Sequence, residues 1–107
     1  MPVSEEVFYG GAIFQSISSD FTVYISKRVW NISSTVGLSV LLPDARTLKV
    51  GGPCFYIINI GSNLFTIEDN TGSSLNVAGA NVAYIIALHE NTTQAGTWYR
   101  RGANLIT

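Results

Sequence analysis

Apolar and polar residues alternate along this chain in short blocks, and the blocks are cut by turn residues at close intervals. Phe21-Thr-Val-Tyr-Ile-Ser26 is the cleanest case: Phe21, Val23 and Ile25 fall on one face of a strand, Thr22, Tyr24 and Ser26 on the other. Further strands are predicted over Ala12–Ile17, Val36–Leu42 (stopped by Pro43), Leu64–Ile67, Leu75–Val77 and Thr97–Arg100. Cys54-Phe-Tyr-Ile-Ile-Asn-Ile60 is apolar on both faces, which predicts the best-buried strand. It should lie at the centre beside Val82–Leu88.

Gly51-Gly52-Pro53 reads as a tight corner, Gly61-Ser-Asn63 as a hairpin turn, and Asp69-Asn-Thr-Gly72 as another. No stretch carries helical periodicity, and no repeat of solenoid length is evident. The reading is an all-β fold: a small antiparallel β-sandwich or barrel, jelly-roll-like, with extended N- and C-terminal segments. Residues 1–11 form an N-terminal arm, 12–101 the β domain and 102–107 a C-terminal tail.

Composition sharpens this. The 107 residues are 47% hydrophobic but only 12% charged, about half the usual charge density of a soluble domain. So little charge leaves apolar and neutral polar surface exposed, which suits a subunit of an assembly. Six basic and seven acidic residues give a net charge of −1 without a basic stripe, so nucleic-acid binding is not expected. The longest apolar run, VAYIIAL, is strand-sized, and a membrane role is not expected. The acidic start MPVSEEVFYGG does not read as a secretory signal. On that reading the sequons at Asn31 and Asn91 are chance matches.

Candidate chemistry is sparse. Cys54 is the single cysteine and His89 the single histidine. A thiol beside an imidazole is a nucleophile pair, but Cys54 opens an apolar strand, where thiols are usually inert. Glu68-Asp69-Asn70 is a local oxygen cluster better explained as a turn than as a calcium site. No enzyme activity, catalytic residue, metal or cofactor is expected. The aromatics Trp30, Trp98, Tyr24, Tyr56, Tyr84 and Tyr99 suit ordinary packing, a sugar-stacking face or interface anchors. Two clusters look most interface-like: Val7, Phe8 and Tyr9 in the arm, and Tyr99, Arg100 and Arg101 near the other end.

Particular phrases also stand out: LPDA at 42–45, VGGP at 50–53, N-x-GSN at 59–63, DN-x-G at 69–72, and N-x-T-x-x-GTW at 91–98. In wording and spacing these resemble a small β-rich structural module of tailed-bacteriophage virion proteins, over a little more than half of the chain. The resemblance implies a virion structural protein, most specifically a capsid decoration or cement protein that stabilises the shell by bridging capsid subunits. The major capsid protein or other virion proteins would be its partners, and a homo-oligomer is expected, with a trimer favoured. It would be made in the host cytoplasm and sit on the capsid exterior. The alternative is a tail-fibre or receptor-binding module, with exposed aromatics and the 90–96 loop contacting a glycan.

Overall fold

The computed structural model describes residues 12–24, 27–51 and 54–104. These form an all-β domain with nine strands among the described residues: β1 (Ala12–Ile17), β2 (Phe21–Thr22), β3 (Val29–Ser34), β4 (Leu38–Leu41), β5 (Phe55–Asn59), β6 (Phe65–Glu68), β7 (Ser74–Ala78), β8 (Val82–Glu90) and β9 (Thr97–Asn104). One 3-10 turn, Ala45–Thr47, interrupts them. A five-stranded sheet has the order β1-β3-β5-β8-β9 and a four-stranded sheet the order β2-β4-β6-β7. β5 is the middle strand of the larger sheet, with β8 beside it, as the apolar pattern predicts.

The expectation of antiparallel pairing is corrected. From β1 to β6 the chain passes alternately from one sheet to the other, so β1, β3 and β5 pair in parallel, as do β2, β4 and β6. Only β5–β8, β6–β7 and β8–β9 are antiparallel. The first two-thirds of the domain is therefore a short two-sheet coil, closed by two hairpins. No sequence repeat of solenoid length accompanies this coil. Gly61–Asn63 accordingly turns a corner between sheets and is no hairpin.

Strand limits differ as well. Val36 and Gly37 form a turn, and β4 starts only at Leu38. β9 continues to Asn104, beyond the boundary placed at residue 101. The proposed arm, residues 1–11, lies outside the described residues.

The core fills the space between the sheets. Trp30, Ile32, Phe55, Ile57 and Ile86 project from the five-stranded sheet; Val40, Phe65, Ile67 and Ala78 project from the four-stranded one. Val23, Leu42 and Ala45 close the margin. Phe21 and Tyr24 set their rings edge-on to Trp30 at 5.4 and 4.7 Å, an arrangement favoured by the aromatic quadrupole.

One polar side chain belongs to this core. Asn59 is fully buried at the end of β5. Its Nδ2 donates to the carbonyls of Asn63 and Ala78, each at 2.9 Å, and its Oδ1 accepts from the Gly61 N–H at 2.9 Å. Its own carbonyl accepts from Asn81 N–H at 2.9 Å. Asn59 thus holds the corner after β5 and ties the end of β7 to the opposite sheet. Replacing Asn59 with alanine strands two carbonyls and an amide in a dry setting, with an expected cost of about 2–4 kcal/mol. Urea unfolding of Asn59→Ala measures it, and a loss below about 1 kcal/mol would contradict this role.

Candidate interaction surface

The two sheets present unlike outer faces. On the five-stranded sheet the strand registers align Ala12, Val29, Tyr56, Ile85 and Arg101 in one row across the face. A neighbouring row runs Phe14, Asn31, Ile58, Ala83 and Ala103, and Ala87 pairs with Tyr99. Phe14 is 75% exposed, Tyr99 64%, Ile85 41% and Tyr56 37%. The outer positions of the four-stranded sheet are more polar, with Thr22, Ser39, Thr66, Glu68 and Ser74 standing beside Leu41 and an exposed Val77. Ser39 Oγ donates to Glu68 there at 2.7 Å. β5 is therefore apolar on both sides, while among the described residues only one side, carrying Phe55, Ile57 and Asn59, is covered.

Charge is segregated too. The turns 18–20, 35–37, 60–64 and 79–81 share one rim of the domain, where Asp20 is the sole charged residue and accepts from Ser39 N–H at 2.9 Å. Val36, Ile60 and Leu64 are exposed on that rim. The opposite rim gathers Lys27, Arg28, Asp44, Arg46, Lys49 and Asp69. There the Asp44–Arg46 pair closes at 2.7 Å, and the Arg46 side-chain hydrogen bond holds the Asp44 carboxyl below its ordinary value.

The predicted interface cluster at 99–101 divides between the two sides of β9. Tyr99 and Arg101 stand on the outer face, where with Ile85 and Ala87 they border a shallow depression of about 470 Å³. Tyr99 packs edge-on against His89 at 4.9 Å. Arg100 turns to the other side and donates to the Leu75 carbonyl and, at 3.1 Å, to Asn76 Oδ1. It joins the edges of the two sheets. Val7, Phe8 and Tyr9 lie outside the described residues.

Phe14 and Ile85 were not singled out by sequence as surface anchors, whereas Tyr56 and Tyr99 were among the aromatics considered for that role. The available signal was the doubly apolar pattern of β5 and β8, which reads as deep burial when taken alone.

Other candidates resolve into architecture. Cys54 is half-buried just before β5, and no hydrogen bond joins it to the exposed His89 among the described residues. Trp30 and Trp98 are buried and unavailable for stacking on sugars. Tyr84 faces inward and donates its hydroxyl to the Val77 carbonyl at 3.1 Å. In the 90–96 loop, Asn91 Nδ2 donates to the Leu48 carbonyl at 2.9 Å and Gln94 Nε2 to Asn70 Oδ1 at 2.7 Å. Asn31 Nδ2 likewise donates to the Ile13 carbonyl at 3.3 Å.

Asp69 builds a turn. Its Oδ1 accepts from Thr71 N–H at 2.8 Å, Thr71 Oγ1 at 2.6 Å and Ser73 N–H at 3.2 Å. Among the described residues no three potential ligands converge on a metal position. Burial opposes ionisation of Asp69, but the Thr71 hydroxyl and the N–H groups of Ser73, Thr71 and Gly72 outweigh it and hold the carboxyl below its ordinary value. The unfolded carboxyl titrates near ~3.9. The Asp69 contribution is thus full above that pH and is lost as pH falls through the lower folded value. Stability should therefore drop on acidification, with a shallower acid limb in Asp69→Asn. Urea midpoints from pH 6 downward measure this; parallel limbs would contradict it.

No family model, no curated protein and no solved structure matches the chain.

Proposed function

We propose that this chain is a structural subunit of a tailed-phage virion, a capsid decoration or cement protein that stabilises the shell by bridging capsid subunits. The observation that carries the reading is the distribution of apolar surface. A bridging subunit needs more than one adhesive region, and two are available: the outer face of the five-stranded sheet and the rim with Val36, Ile60 and Leu64. Charge is confined mainly to the opposite rim, which suits a side turned to solvent. The phrasing shared with phage structural modules adds to this.

Such a subunit acts mechanically. Each copy buries neutral surface against two neighbours, and the shell resists internal pressure because parting them re-exposes that surface to water. The tail-fibre reading needs aromatics free to stack on glycans. Tyr24, Tyr56 and Tyr99 are exposed and meet that need, whereas burial of both tryptophans and the internal bonding of the 90–96 loop count against it.

Quantitative mass spectrometry of purified particles gives the test, because a decoration protein coats the shell. The expected outcome is hundreds of copies per particle. A few to a few dozen copies would place the protein in the tail, and absence from particles would overturn the virion assignment.

A further inference from the structure

We infer that the outer face of the five-stranded sheet is the contact between copies of this chain, packed face to face in a closed homo-oligomer. This rests on the face itself and holds whether or not the assembly belongs to a virion.

The face has the anatomy of one side of a hydrophobic contact. Its centre is Tyr56, Ile58, Ala83 and Ile85, with Phe14 at one margin and Tyr99 at the other. An aromatic side chain carries about 150–250 Å², so the exposed parts of Phe14, Tyr56 and Tyr99 leave roughly 350 Å² of ring surface in water. The aliphatic positions and the Arg101 stem bring the total toward the ~800 Å² per partner of a stable association.

A second copy fits because the face is complementary to itself. Within the strands that form it, its ionisable side chains other than tyrosine are Arg101 and His89, both on the β8–β9 side. The β1 margin carries only Ala12, Phe14 and Ser16. In an assembly about a rotation axis running along the strands, the β9 margin of one copy meets the β1 margin of the next. Arg101 lies in the same cross-strand row as Ala12, so its guanidinium reaches the level of the Phe14 ring, a favourable cation–π partner. The like charges of different copies stay apart. Two copies facing each other or three around a prism satisfy this equally, since both bring unlike margins together.

The test is sedimentation velocity on the full chain, wild type against Ile85→Lys at the centre of the face and Thr66→Lys on the outer side of the other sheet. Circular dichroism and a thermal melt check that each variant folds. The expected result is a dimer or trimer for the wild type and for Thr66→Lys. Ile85→Lys should weaken association by at least about 100-fold, because it places an unpaired charge in the contact. Should Ile85→Lys fail to fold, Tyr99→Ser, which removes an exposed ring, must weaken association in its place. A wild-type monomer at about 100 μM, well above the Kd of stable homo-oligomers, would overturn the inference. So would an oligomer indifferent to the folded face variants, or a wild-type monomer that associates only after residues 1–11 are removed; in that case the chain's own N-terminal segment covers the face.

Discussion

A single core between two sheets governs everything else in this molecule. Two sheets of this size enclose one layer of side chains, filled by Trp30, Ile32, Ile57, Phe65, Ile67 and Ile86. The central strand β5 nevertheless carries apolar residues on both sides, and the described residues form no third layer to cover the second. The cost of leaving Tyr56 and Ile85 in water, shared with Phe14 and Tyr99, is the physical basis of the proposal that copies associate through this face. Asn59 serves the same core. The corner at the end of β5 turns under an exposed rim, and the buried Asn59 amide supplies partners to its backbone and to the Ala78 carbonyl inside.

Most strands were legible because alternation is a local property, although β3 (Val29–Ser34) was not predicted. Phe21 and Val23 turn inward and Thr22 outward, as their spacing requires, but β2 ends at Thr22 and Tyr24 lays its ring against Trp30. Strand order was not legible, because partner choice is not local. A corner between sheets and a hairpin within a sheet use the same glycine and asparagine residues, so Gly61–Asn63 reads alike in both. The repeat of the coil was hidden for a related reason. Its turns are unequal: the link from β4 to β5 contains the Pro43 corner and the 3-10 turn capped by Asp44, whereas the link from β2 to β3 does not. Arg100 shows the limit at a single residue: its neighbours Tyr99 and Arg101 point outward together, and strand period alone sends it to the other side.

The phrases that resemble phage structural proteins turn out to be the joints of the fold. In N-x-GSN, Asn59 binds the corner and Asn63 Nδ2 reaches the Ser34 carbonyl at 3.0 Å. In DN-x-G, Asp69 closes the hairpin while Asn70 Nδ2 donates to the Leu42 carbonyl at 3.0 Å. In GTW, Gly96 has φ +70° and lies so close to the LPDA segment that a Cβ there would stand 2.4 Å from the Ala45 Cβ. These residues specify how strands meet, which any protein built this way requires. The proposed contact lies elsewhere, on the outward positions of β1, β5, β8 and β9.

Tyrosine reactivity reads that face directly. In the isolated chain Tyr99 is 64% exposed and Tyr24, away from the face, is 44% exposed. Nitration of the native full-length protein, followed site by site by mass spectrometry, compares the two within one molecule. Burial of the face between copies predicts that Tyr99 reacts more slowly than Tyr24 and that dilution to the monomer reverses the order. Faster nitration of Tyr99 at every concentration would mean that the face stays open to water, and would contradict the account.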